Sequence, residues 1–119
     1  MVLFLEFVMM PEFDRQWKRL GLGDEDLRRL QKQLLENPKA GSVIRGTGGL
    51  RKVRIAFPGR GKSGSGRVAY VDFTPYRTIY LITAYAKADK DTLSAVQRNE
   101  IANMIAMLER SMKKQELHK

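Results

Sequence analysis

The sequence predicts an α+β fold: a small twisted antiparallel sheet carrying an N-terminal helical hairpin and a C-terminal helix, in the order βααβββα. Three observations predict it. Apolar residues recur at helical spacing in two N-terminal stretches and again near the C-terminus. Between them lie runs rich in β-branched and aromatic residues, separated by turn-forming residues. The chain has 119 residues, within the usual range of about 100–200 for one domain. Residues 1–119 are therefore expected to form a single domain, with a charged tail over about 113–119 that frays.

Val2 to Val8 is rich in strand formers, and Pro11 suits the first turn of a following helix. Phe13, Trp17 and Leu20 then mark one helical face, and Gly21 and Gly23 supply the freedom to turn. Asp24 is the expected N-cap of the second helix. Leu27, Leu30, Leu34 and Leu35 form its stripe, and Asn37-Pro38 ends it, because a residue before proline avoids helical angles. Strands follow over Leu50–Phe57, Arg67–Phe73 and Thr78–Tyr85, the last two joined by a turn at Thr74-Pro75-Tyr76-Arg77. Ser94 and Gln97 have capping-box spacing. Ile101, Met104, Ile105, Leu108 and Met112 mark the inner face of the last helix.

The balance of 22 Lys+Arg against 13 Asp+Glu, a net charge of +9, makes nucleic acid the first candidate partner. The absence of cysteine excludes disulfides, thiol nucleophiles and cysteine metal sites, and suits a reducing compartment. The opening MVLFLEFVMM lacks a basic n-region and carries Glu6, so a strand is expected there and not a signal peptide. No apolar stretch approaches the ~20 residues needed to cross a bilayer, so a cytoplasmic protein without a membrane partner is expected.

The charge is concentrated. Between Asn37 and Val71 stand Lys39, Arg45, Arg51, Lys52, Arg54, Arg60, Lys62 and Arg67, and no acid. Charge runs are often no more than solvated faces, but the spacing here is specific. On a strand, Lys52 and Arg54 share one side while Val53 and Ile55 take the other. Should Arg67 face the same way, a cationic groove forms. Such a groove meets the needs of RNA cleavage by the 2′-hydroxyl: donors that hold the scissile phosphate in line and neutralise the phosphorane. A lysine crowded by other cations is drawn toward proton transfer near neutral pH, whereas arginine stays charged and clamps.

Other chemistries fit less well. The sole histidine, His118, lies one residue from the end of the chain. A two-metal nuclease needs clustered carboxylates, which the basic segment lacks, while Asp89 and Asp91 read as a polar turn; no metal or other cofactor is expected. Gly61-Lys62-Ser63 resembles the end of a phosphate-binding loop, but Ala56 stands where glycine is required. Gly59, Gly61 and Gly64 match a dinucleotide-binding pattern without the surrounding βαβ unit. Tyr70 and Tyr85 lie on strands whose faces the sequence does not assign, packing being the commoner role. Tyr85 joins Arg45, Arg51, Arg60 and Lys62 as a candidate RNA-binding residue.

At GTGGLRKVRIA (46–56), GKSGSGRVAYV (61–71) and YLITAYAK (80–87), the chain resembles toxins of the RelE superfamily, in particular the HigB-like branch. The resemblance implies a ribosome-dependent, metal-independent endoribonuclease that cuts messenger RNA in the decoding site. It further implies a HigA-like helix-turn-helix antitoxin as partner, through which alone the toxin reaches operator DNA. Carried over by motif, Lys52, Arg54, Arg67 and Lys87 are the implied catalytic set, with Arg67 as a transition-state clamp. The family's C-terminal tyrosine has no clear match here, which leaves the general base open. Two rivals stand beside this reading: a non-enzymatic RNA- or ribosome-binding module using the same face, and a ParE-like gyrase-inhibiting toxin sharing the fold.

Overall fold

The computed structural model describes residues 4–56, 65–87 and 93–117. The chain forms β1 (Glu6–Met9), α1 (Pro11–Arg19), α2 (Asp24–Glu36), β2 (Ser42–Val43), β3 (Leu50–Ala56), β4 (Ser65–Phe73), a short 3-10 turn (Thr74–Tyr76), β5 (Thr78–Ala86) and α3 (Ala95–Leu117). The fold is α+β with three helices and one five-stranded sheet, in the order β1-β5-β4-β3-β2.

Two corrections to the expected βααβββα order follow. The two-residue β2 adds a strand, pairing Ser42 with Lys52 and Val43 with Arg51; it is too short to carry an alternation signal. The sheet is mixed and not antiparallel throughout, because β1 runs parallel to β5, with Glu6 opposite Thr78 and Met9 opposite Leu81. Parallel neighbours need a long crossover, and here everything from α1 to β4 supplies it. The meander β3-β4-β5 is antiparallel as expected.

Strand alternation gives the sheet two different faces. Val53, Val68, Tyr70, Ile79, Leu81 and Ala84 point to the helical hairpin, where they pack with Phe13, Trp17, Leu30 and Leu34. Leu50, Ala69, Val71 and Phe73 point the other way and are covered by Ile105 and Met112 of α3. The α2 stripe holds except at Leu35, which is exposed. Gly23, not Asp24, caps α2: it has no side chain to offer the helix, so the Asp26 carboxylate reaches back to accept from its N–H at 2.8 Å. The Ser94–Gln97 box forms as expected, with Gln97 N–H donating to Ser94 Oγ at 3.1 Å and Ser94 N–H to Gln97 Oε1 at 2.9 Å. α3 then continues through most of the segment expected to fray, as far as Leu117.

Two side chains fix the loops flanking β2. The Tyr70 hydroxyl, fully buried, accepts from Gly41 N–H and donates to the Pro38 carbonyl, each at 2.8 Å. Gly41 lies so close to β3 that a Cβ there would stand 2.7 Å from the Lys52 carbonyl oxygen. Buried Thr47 donates to the Ile44 carbonyl at 2.6 Å and accepts from Leu50 N–H at 3.1 Å, closing the turn into β3. Among the described residues no helix is long and apolar enough to cross a membrane.

Candidate nucleic-acid interface

The antiparallel register decides which cations meet. Arg54 on β3 stands directly opposite Arg67 on β4, and Arg67 directly opposite Tyr85 on β5. Paired residues of an antiparallel ladder project on one side, so Arg54, Arg67 and Tyr85 form a row across three strands. The next row is Lys52, Ala69 and Thr83. Arg54, Arg67 and Tyr85, with Lys52 of the next row, lie on the α3 side of the sheet, at the end of β3 away from Leu50, whereas Thr83 stands beside the Glu12 carboxylate of α1. α3 closes over Ala69, Val71 and Phe73, leaving Arg54 exposed and Arg67 and Tyr85 half-buried.

Two arginines directly opposite each other repel, at a cost of about 0.2–1 kcal/mol relative to neutral pairs. Among the described residues no carboxylate forms an ion pair with either. The Arg67 guanidinium instead donates to the Gly66 carbonyl at 3.1 Å. An anion bound between Arg54 and Arg67 would relieve that repulsion, and a phosphate offers oxygens to both forks at once. The row therefore sets two guanidinium groups side by side, an arrangement suited to an anion, with an aromatic ring at one end.

The other candidates divide. Lys87 follows β5 directly and is exposed; its N–H donates to the Ser65 carbonyl at 2.9 Å, which brings it to the same end of the sheet as Arg67. Arg51 lies on the opposite face of β3, and its guanidinium donates to the Gly41 carbonyl at 2.6 Å, bracing the α2–β2 connection. Arg45 is exposed in the turn between β2 and β3, at the far end of the sheet from Arg54, beside the start of α3, where Gly46 faces Arg98. Arg60 and Lys62 lie outside the described residues, as do Asp89, Asp91 and His118. Lys39, inside the acid-free run, meets an acid from beyond it: the nearly buried Asp72 carboxylate lies 3.7 Å from its ammonium.

The register sets Thr83 opposite Ala69 in the Lys52 row, but its side chain stands beside Glu12 of α1 and is no part of the cationic face. A β-bulge between the Ala69 and Tyr70 positions interrupts the alternation just there, so no period-2 count along β5 reaches it. Tyr70 and Tyr85, alike in sequence, separate cleanly: Tyr70 belongs to the core and Tyr85 to the cationic row. The hairpin joining β3 to β4, with Ala56 opposite Ser65, has no βαβ unit around its glycine-rich link, which disposes of the dinucleotide pattern. Among the described residues no three His, Cys, Asp or Glu side chains cluster as metal ligands do.

No family model matches the chain. Among solved structures it is similar to the toxin RelE of E. coli, in a double arginine-to-alanine mutant in the free state. That similarity has 24% sequence identity and a TM-score of 0.44, covering 75% of this chain and 86% of that one.

Proposed function

We propose that the chain is the toxin of a type II toxin–antitoxin pair, a ribosome-dependent, metal-independent endoribonuclease of RelE/HigB type that inhibits translation by cutting messenger RNA. The observation that carries the reading is the row Arg54–Arg67–Tyr85, with Lys52 beside it, at the end of the sheet face beyond the part that α3 covers. In this reading the 2′-hydroxyl attacks the adjacent phosphorus; the P–O2′ bond forms, the P–O5′ bond breaks, and a 2′,3′-cyclic phosphate and a 5′-hydroxyl result. Arg54 and Arg67 hold the phosphate in line and offset the charge of the phosphorane. One proton leaves the 2′-oxygen and one reaches the 5′-oxygen; Lys52 and Lys87 are the proton-carrying side chains of the set. Tyr85 supports a flanking base by stacking. Arg45, Arg60 and Lys62 serve as peripheral phosphate contacts, and Arg51 serves the fold.

A HigA-like helix-turn-helix antitoxin would be the partner, and operator DNA would be reached only through it. The cytoplasm, where ribosomes lie, is the compartment this requires. The test is a translation reaction with purified protein, mapping messenger RNA ends with and without ribosomes for wild type and Arg67→Ala. New cuts that need ribosomes and fall by at least about 100-fold in the variant are expected, the size typical of losing one transition-state donor. Wild-type rates in Arg67→Ala would refute the site. Intact messenger RNA beside normal ribosome binding would instead establish a non-enzymatic binding module, and inhibited supercoiling a gyrase poison.

A further inference from the structure

On the hairpin side of the sheet, the outer edge of β3 opens onto a cavity of about 200 Å³ beneath α2. Trp17, Leu30 and Ile55 give it apolar walls, Asp26 and Gln33 of α2 supply polar groups, and Arg54 and Ala56 border it along the open edge of β3. Arg54, whose side chain lies in the cationic row on the other face, thus stands where the cavity meets the strand edge. β2 pairs with β3 only at Arg51 and Lys52, so from Val53 to Ala56 the strand has, among the described residues, no strand neighbour on this side. The Gln33 side-chain amide makes no hydrogen bond among the described residues, leaving two donors and an acceptor to spend on a ligand. The Asp26 carboxylate is held in place by Gly23 N–H and by Arg29.

We propose that this cavity receives one unstacked nucleobase of the RNA strand whose phosphate rests on Arg54, an inference that rests on the RNA-cleaving reading above. The volume is below the ~300–1,000 Å³ of clefts that take drug-sized ligands, and suits a single ring system. An indole and aliphatic side chains favour a flat ring, and a free amide beside an open strand edge reads a base edge by hydrogen bonds. A peptide added along the same edge would fill the cavity with a side chain but would leave Arg54 without its anion. The position of Arg54 at that edge favours a nucleotide, with its phosphate on the cationic face and its base reaching round the edge into the cavity.

Trp17 is the chain's single tryptophan, so its emission reports on the cavity. The full chain is titrated with a short 2′-O-methyl oligoribonucleotide, which resists cutting, and with an abasic oligomer carrying the same phosphates. Both are expected to bind, but only the base-bearing oligomer quenches Trp17, and it binds about tenfold more tightly. Gln33→Leu, on an exposed position of α2, removes most of that advantage while leaving the abasic affinity and the urea midpoint unchanged. Equal affinity for the two oligomers with no quenching overturns the base subsite and leaves the RNA reading standing. Failure of both oligomers to bind overturns the base subsite, while the RNA-cleaving reading stands or falls on the ribosome-dependent cuts described above.

Discussion

Buried between Gly41 and Pro38, the Tyr70 hydroxyl is a donor and an acceptor at once. Removing it strands two backbone groups in place of one side chain. Tyr70→Phe is therefore expected to cost about 1–3 kcal/mol, seen as a lower urea midpoint at unchanged slope. Burial also pushes the phenol above its ordinary value of 10.0. A group whose folded pKa is raised contributes stability that is complete below the unfolded pKa and is lost as pH rises through the folded one. Wild-type stability should accordingly decline above about pH 10, and Tyr70→Phe should flatten that decline. A wild-type curve with the same alkaline slope as the variant's would show that another group is responsible. Nothing in the sequence foretold this role, since Pro38 and Gly41 lie 32 and 29 residues away, and a side chain's long-range partners leave no periodic trace.

α3 shows how far local pattern reaches. Its capping box and inner face were both legible, because a cap and a 3.6-residue stripe depend only on neighbours within one or two turns. Ser94→Ala should cost about 1 kcal/mol, lowering the thermal midpoint, whereas Ser94→Asp should restore it; equal midpoints for wild type and Ser94→Ala would mean that the second core alone fixes the start of α3. The antiparallel meander was legible for the same local reason. Its strands alternate and are joined by recognisable turns. β1's parallel seat beside β5 was not, since that pairing spans most of the chain, and β2 is too brief to alternate. The candidate site falls between these cases. That Lys52 and Arg54 share a side with Arg51 on the other follows from strand period alone, whereas placing Arg67 opposite Arg54 required the register, and bringing Arg51 to the Gly41 carbonyl required the tertiary fold.

At the scale of the whole molecule, the fold sorts the six described cations of the eight that the sequence presents as one run. Lys39 is drawn to Asp72 and Arg51 to the Gly41 carbonyl, while Arg45 stands at the far end of the sheet. Lys52, Arg54 and Arg67 share the other end of the face on which α3 packs. A net charge of +9 would attract RNA to the surface at large, so bare affinity does not distinguish a diffuse field from a built cradle. Salt dependence does, because each phosphate bound to a single strand contributes about −0.7 to the slope of log affinity against log salt. Arg54→Gln and Arg67→Gln should each reduce the steepness by about that amount while leaving the urea midpoint unchanged or slightly raised, since each relieves the repulsion between the paired arginines. Arg51→Gln removes the same charge from the same strand but breaks the bond to Gly41, so its midpoint should fall by the equivalent of about 1 kcal/mol with the slope unaltered. If all three variants flatten the slope equally, the RNA contact is a property of the net charge, and the row across β3, β4 and β5 has no special part in it.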